Sequence, residues 1–483
     1  MTRITKAILL SCLLLLCGDC AGNRPLPDIK PVREENPRHP LQLKIPVQQF
    51  KIPHPERLVM GNGLPVYLLE DHSAPVISII LKFKTGSKYD PAGKYGLANL
   101  TAAVLESGGT VGMDSHELFS LFDNKKVEFS ITAGPDFTVM RAAFLSNYAA
   151  DIMPVFFDII RNPALTAEIT ANEKKIAIEE LARIRDYPGN TAYVNFLKDI
   201  YKEHPYGREA AGTSECIESI SREDITAFHY KYYRPNNALM GIAGDFSKED
   251  IIGRIAKECE TWKGNVINPP TIPEMAKEEG RLRILLSDRE LQQSYMVIGQ
   301  IGVPKRDNGY FPLLCLNTIL GGCFSSRLVE QIRSEKGYAY GIGSEFSFFE
   351  DSGVFYAELQ TETENTSAVL KLVLENLNKI CVGMVKEEEL EFAKDYLSNN
   401  FIFQFQTPAR TISNFMDLEL YEMDADFYDK YLDNIQRLSR EGLLTAAKKY
   451  FTPDRLTISI VGRRDEIFSR ISGVGEITEL KDK

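Results

Sequence analysis

The chain carries six histidines, His39, His54, His72, His116, His204 and His229. Two imidazoles four residues apart share a helix face and can grip one zinc ion, and a glutamate between them can act as base for the metal-bound water. No histidine pair here stands in H-x-x-E-H or H-E-x-x-H order. Cysteine offers no substitute. Cys12, Cys17 and Cys20 fall in an apolar N-terminal stretch, and Cys216, Cys259, Cys315, Cys323 and Cys381 are scattered, odd in number and without C-x-x-C spacing. Neither a zinc cluster nor a disulfide framework is indicated. The residue inventory therefore argues against a metal held by this chain.

The elements around these residues belong to a globular protein. With 483 residues the chain is long enough for two or more domains, and 44% hydrophobic with 25% charged residues is an ordinary globular balance. A net charge of -11 without basic clusters excludes a nucleic-acid binder, whose affinity comes largely from neutralising phosphates. Arg3 and Lys6 precede the apolar run Ala7 to Leu16, and small residues follow near Gly22. That is the layout of a signal peptide over residues 1–22, too short to span a membrane comfortably. Cys17 and Cys20 raise lipid anchoring, although Leu16 and Asp19 before them match a bacterial lipobox poorly. Residues 23–55 are rich in proline and read as a tether.

Beyond the tether, Asn62-Gly63 signals a tight turn and Val76 to Phe83 a buried strand. An internal repeat sets the organisation. The stretch from Ile220, ISREDITAFHYKYYRPNNALMGIAGDF, aligns without a gap with the stretch from Leu438, at an offset of 218 residues. Ser221, Arg222 and Glu223 match Ser439, Arg440 and Glu441, while Tyr232, Pro235 and Gly244 match Tyr450, Pro453 and Gly462. Both copies read as a serine-capped helix, a proline turn and an apolar strand ending in glycine. A period this long means two homologous α+β domains. They are expected over 56–263 and 281–475, joined by a proline- and charge-rich linker at 264–280, with a strand over Leu282 to Leu286 opening the second.

The stretch GSKYDPAGKYGLANLTAAVLESGGT, from Gly86, resembles the hallmark region of the M16 zinc peptidase family (pitrilysin- or insulinase-like), in which a glycine turn leads into a helix carrying H-x-x-E-H. The flanks match in Gly96, Leu97 and Ala98 before the motif and Gly108, Gly109 and Thr110 after it. Asn99 stands at the first histidine, Ala102 at the glutamate and Ala103 at the second histidine. The resemblance puts Glu180 at the third zinc ligand and Glu173 at a supporting position, two helical turns apart on one face. Without partner ligands these acidic residues read as remnants, and no metal is expected in this chain. HPYGREAAGT, from His204, also resembles a family segment, with His204 read as structural.

In the second half, LGGCFSSRLVEQIRSEKGYAYGIGS from Leu320 resembles the family's C-terminal signature. Gly321 and Gly322 are expected to form a flexible turn, Ser325 or Ser326 to cap a helix, Leu328 and Ile332 to face the core, and Gly337 to end the helix. Tyr338, Tyr340 and Ile342 then alternate on one side of a strand. Arg333 and Tyr340 fit the family's Arg/Tyr pair, which in related enzymes binds substrate and steadies the oxyanion across a closed clamshell. A guanidinium and a phenol are preorganised donors suited to that charge. Spacing alone favours Arg333 serving its own helix terminus and Tyr340 packing in the core; the surrounding signature favours the functional pair.

The resemblance implies two homologous α/β-sandwich-type domains forming half of a clamshell. It further implies a non-catalytic subunit whose partner carries the intact H-x-x-E-H and the zinc, with Arg333 and Tyr340 acting in trans on an unfolded peptide. That peptide would add as a strand to a sheet edge, for which Val127 to Thr132 is a candidate. The alternatives are a non-proteolytic scaffold or peptide-binding module of the same fold, or an active peptidase with another site, for which the histidines and cysteines offer nothing. The signal segment puts the expected location outside the cytoplasm, in a bacterial periplasm.

Overall fold

Gly63 adopts φ +88, and the turn it allows joins β1 (Glu56–Val59) to β2 (Pro65–Glu70) as an antiparallel pair. The computed structural model describes residues 50–275 and 281–480; the expected signal segment, most of the proline-rich tether and the end of the linker lie outside the described residues. β3 (Val76–Phe83), β4 (Glu128–Ala133), β5 (Thr138–Leu145) and β6 (Ala238–Gly244) complete a sheet in the order β1-β2-β6-β3-β5-β4. The second sheet holds β7 (Arg283–Asp288), β8 (Gln293–Ile301), β9 (Ala339–Phe348), β10 (Gly353–Glu362), β11 (Thr457–Gly462) and β12 (Glu476–Leu480), in the order β12-β7-β11-β8-β10-β9. Five strands correspond in order, β2-β6-β3-β5-β4 with β7-β11-β8-β10-β9, whereas the outermost differ: β1 opens its half and runs antiparallel to β2, and β12 closes its half and runs parallel to β7. In each, the last long strand of the half (β6, β11) inserts between the earlier ones, parallel to one neighbour and antiparallel to the other.

The helices of the first half are α1 (Leu97–Ser107), α2 (Ser115–Lys125), α3 (Ala149–Arg161), α4 (Ala167–Asp186), α5 (Pro188–Tyr201), α6 (Ser214–Ser219), α7 (Arg222–Tyr232) and α8 (Lys248–Cys259). Those of the second are α9 (Tyr310–Leu320), α10 (Thr366–Val382), α11 (Glu387–Phe401), α12 (Pro408–Leu420), α13 (Tyr431–Gln436), α14 (Arg440–Tyr450) and α15 (Arg464–Ile471). The repeat seen in the sequence holds at the level of single bonds. Ser221 caps α7 by accepting the Asp224 N–H, and Ser439 caps α14 by accepting the Gly442 N–H. None of the described helices is long and apolar enough to cross a membrane.

Each half lends one helix to the other. The first sheet packs one face on its own helices, and its opposite face, through Tyr67, Ile80 and Leu239, joins the cluster of Ile412 and Met416 from α12. Reciprocally, Ala192, Phe196 and Ile200 of α5 pack on Val297, Val354 and Val461 of the second sheet. The central strands β6 and β11 are thus buried on both faces; β6 reads as an unbroken apolar run, and β11 also buries Thr457 and Ser459. Gly241 makes room for this contact, since a Cβ there would meet Ile412 Cγ2 at 2.1 Å.

The exchanged helices are themselves repeats. Both begin with proline, which suits a first helical turn. Counted from Pro188 and Pro408, Ala192, Phe196 and Ile200 match Ile412, Met416 and Leu420, and Asp199 matches Glu419. Asp199 accepts from Arg283 at 2.9 Å, and Glu419 accepts from Arg57 at 2.7 and 2.9 Å, each arginine coming from the other half's sheet.

A buried ion cluster adds a second tie between the halves. Lys88 Nζ lies 3.1 Å from Asp136, 2.5 Å from Glu350 and 2.9 Å from Asp351. Tyr206 donates to Asp136 at 2.5 Å, and the Glu350 N–H donates to the other oxygen of Asp136 at 3.0 Å. Lys88, Asp136 and Tyr206 belong to the first half, Glu350 and Asp351 to the β9–β10 turn.

Candidate functional site

Gly96 takes φ +94 and lets the chain enter α1. Asp90, buried beneath it, accepts the N–H groups of Gly96 at 2.7 Å and Ala98 at 2.8 Å, anchoring the helix start. Burial pushes its carboxyl up to about 7, although these amides pull the other way. Asn99, Ala102 and Ala103 then share one face of α1 and open onto a cavity of about 470 Å3, also lined by Glu106, Ile131 and Glu173. Asn99 Nδ2 donates to the Ala210 carbonyl at 2.6 Å, so its amide serves the packing. Two alanine methyls and an engaged amide do not fit a zinc site.

The two acidic positions separate. Glu173 lines the cavity. Glu180 pairs with Arg183 at 2.5 Å with about half its side chain exposed, and is not among the lining residues. Sequence reasoning missed Glu106, whose signal was its place one turn after Ala102 and Ala103 on the same face. Its carboxylate accepts the Ile131 N–H at 2.6 Å, and burial first, then the charge of Glu173, raises its pKa. The candidate strand Val127 to Thr132 corresponds to β4, which stands at the open edge of the first sheet. One of its amides, that of Ile131, is already taken by Glu106.

The second group of residues lies at the matching edge of the other sheet. Leu328 and Ile332 are fully buried, and Gly337 at φ +65 ends the helix as its own N–H returns to the Arg333 carbonyl. Two expectations are corrected. Neither Ser325 nor Ser326 caps this helix: the Ser326 hydroxyl is buried without a partner, and the π-helical stretch Val329–Glu335 that follows starts without a side-chain cap. The turn at Gly321 and Gly322 is pinned. The Ser344 N–H donates to the Gly321 carbonyl, and a Cβ on Gly321 would meet Ser344 Oγ at 2.5 Å, so glycine serves close approach to β9.

The π winding presents Arg333 to two aromatic rings, those of Phe324 at 4.6 Å and Tyr340 at 5.1 Å from the guanidinium carbon. Tyr340 is 89% exposed and Phe324 73%, so neither packs in the core. Among the described residues no carboxylate pairs with Arg333. The arrangement is a half-buried guanidinium beside two exposed rings, one of them a phenol: a ready donor set for a carbonyl oxygen gaining negative charge. Phe324 was not foreseen, although it lies within the recognised signature. Tyr338, Tyr340 and Ile342 all line a groove of about 920 Å3 that shares no residue with the cavity at α1. Arg333 and Tyr340 are thus brought together, and the degenerate motif is not brought to them. His204 is buried, its Nδ1 accepting the Tyr206 N–H, and serves the ion cluster's surroundings as a structural residue. The five described cysteines are free.

Comparison with known proteins gives a consistent picture. A family model described as Insulinase (Peptidase family M16) matches residues 66–214, and one described as Peptidase M16 inactive domain matches residues 219–397. An uncharacterized zinc protease of Rickettsia bellii is 28% identical over 345 residues, 71% of this chain and 81% of the relative. A protein of Helicobacter pylori named a non-peptidase homolog is 23% identical over 409 residues, 83% of this chain and 92% of the relative. The crystal structure of a peptidase M16 inactive domain from Pseudomonas fluorescens superposes with a TM-score of 0.78 at 24% identity, covering 85% of this chain and 98% of that one.

Proposed function

The chain belongs to the M16 peptidase family, and on that premise we propose that it is a non-catalytic subunit that closes on an M16 partner bearing an intact H-x-x-E-H motif. The observation that carries this reading is the Arg333–Tyr340 contact, retained in a chain whose own motif positions are Asn99, Ala102 and Ala103. A pure scaffold has no use for oxyanion donors. The partner's zinc would supply the activated water. This chain would hold an unfolded peptide and direct the Arg333 guanidinium and the Tyr340 hydroxyl at its carbonyl oxygen, in trans. Cation–π contacts with Phe324 and Tyr340 would hold the guanidinium near the phenol before substrate arrives. The basic and apolar N-terminus supports work outside the cytoplasm, in a periplasm, either soluble or held by a lipid.

The test is purification of the tagged chain from its native envelope, followed by assay of the complex. A second M16 chain with intact H-x-x-E-H is expected in equal amount. Arg333→Ala should then lower peptide turnover by about 100-fold while assembly persists. Unchanged turnover would sink the role given to Arg333. The second reading, a non-proteolytic scaffold or peptide-binding module, is favoured by the name of the Helicobacter relative. It prevails if the chain comes down alone or with unrelated envelope components.

A further inference from the structure

On the face of the first sheet that receives α12, a groove of about 530 Å3 opens between that helix and the strands β3, β5 and β4. Two guanidiniums line it from two walls, Arg141 from β5 and Arg410 from the first turn of α12. Three serines line it as well: Ser78 on β3, Ser130 on β4 and Ser413 on α12. None of their hydroxyls bonds another described group. Strand pairing fixes the arrangement. Ser130 stands opposite Arg141, and Arg141 opposite Ile80. Ser78 is two residues from Ile80, so Ser78, Ser130 and Arg141 all project from one face.

The other charges of this region are paired. Buried Lys82 donates to Asp417 at 2.6 Å and to the Ser413 carbonyl at 3.0 Å. Asp136, in an adjoining cavity that shares Arg141 and Ser413 with the groove, is held by Lys88. Arg141 and Arg410 make no ion pair and no side-chain hydrogen bond among the described residues, and Glu128 is the one carboxylate lining the groove. The excess charge is felt nearby. Burial lowers the pKa of Lys82, and the charges of Arg141 and Lys305 lower it further against the pull of Asp417. The fold itself does not ask for an arginine at this place. Gly241 and Ser459 stand at the repeat offset of 218. Gly241 pairs with Ile80, and Ile80 with Arg141; Ser459 pairs with Val297, and Val297 with Glu358. The second half thus carries the opposite charge at the matching position.

We propose that this groove is a binding site for a phosphate group, gripped by Arg141 and Arg410 and hydrogen-bonded by the serine hydroxyls. A guanidinium presents parallel N–H donors that match an oxyanion. Two guanidiniums and three hydroxyls offer more donors than the two oxygens of a carboxylate can accept, whereas a phosphate monoester presents three terminal oxygens. The phosphate belongs to a small soluble ester or to a lipid headgroup. The inference goes beyond the proposed function and does not rest on it, because the site lies on the sheet face opposite α1 and needs no partner chain.

The experiment is isothermal titration of the full chain with inorganic phosphate at constant ionic strength, with sodium acetate titrated in parallel. One phosphate should bind per chain, more tightly than acetate. Arg141→Gln and Arg410→Gln should each weaken phosphate about tenfold, with urea midpoints unchanged because both side chains are exposed. Arg141→Lys should recover only part of the loss, since an ammonium keeps the charge without the paired donors. Arg254→Gln, a charge change on the distant helix α8, should leave phosphate binding as it is. Sedimentation with phosphatidylglycerol or phosphatidylcholine vesicles then separates the sources. Capture by the anionic vesicles that Arg141→Gln abolishes assigns the site to a lipid headgroup; phosphate binding without vesicle capture assigns it to a soluble ester. Absence of saturable phosphate binding, binding untouched by Arg141→Gln, or an equal loss in Arg254→Gln overturns the proposal.

Discussion

At the scale of the residue, the loss of chemistry on α1 is a matter of three side chains. The helix, its entry at Gly96 and the cavity remain. Asn99, Ala102 and Ala103 face that cavity together with Glu173, and there is space where two imidazoles and a carboxylate would stand. Restoring them with Asn99→His, Ala102→Glu and Ala103→His should yield one bound zinc per chain after dialysis, by metal analysis, with none stoichiometrically bound by the parent. In that background Glu173→Gln should weaken zinc more than Glu180→Gln, because only Glu173 lines the cavity. If the restored chain stays metal-free, the surrounding helices close on the site and leave zinc no room.

At the scale of the element, the repeated helix–strand unit is held to its half by a polar contact as well as by apolar burial. His229 on α7 is buried, and its Nε2 lies 2.7 Å from the Ile160 carbonyl at the end of α3, one of the carbonyls a helix terminus leaves unpaired. Desolvation lowers the His229 pKa from 6.5 to about 4, the carbonyl opposing it. The neutral imidazole is the folded form. Its contribution is therefore complete above the unfolded value of 6.5 and is lost as the pH falls through 4, a loss of about 3 kcal/mol. The His229→Gln variant should unfold in urea with a flatter dependence between pH 7 and pH 4 than the parent. Parallel curves for the two proteins would mean that other groups set the acid limit.

At the scale of the whole molecule, the two halves are bound by exchange of α5 and α12 and by the cluster around Lys88. A lone ammonium facing three carboxylates is strongly coupled to them, and they hold its pKa above the ordinary lysine value despite burial. Removing it leaves buried negative charge without a partner. Lys88→Met should cost roughly 3 to 5 kcal/mol at neutral pH. Part of that should return in acid, where the carboxylates can take up protons, as read from urea midpoints at the two conditions. An unchanged midpoint at neutral pH would show that the apolar exchange of helices alone unites the halves.

Much of this was legible in one dimension because it repeats or alternates. The 218-residue offset announced two equal halves, and the caps at Ser221 and Ser439, the strand over Val76 to Phe83 and the end at Gly337 follow from local rules of backbone and side chain. The absent histidines were equally plain, since a metal ligand is a residue type before it is a position. Other features depend on contacts between distant segments. The duplication of α5 and α12 is hidden because packing constrains apolar volume and not identity, so Phe196 and Met416 play one role with different letters. Glu106 and Phe324 gain meaning only when β4 and Tyr340 come beside them. The turn at Gly321, judged flexible from composition, is fixed by β9 folding against it. The sequence by itself determined the residue types and the local periodicities; the tertiary structure decided which residues meet, because pairing and packing act through space and leave no spacing along the chain to read.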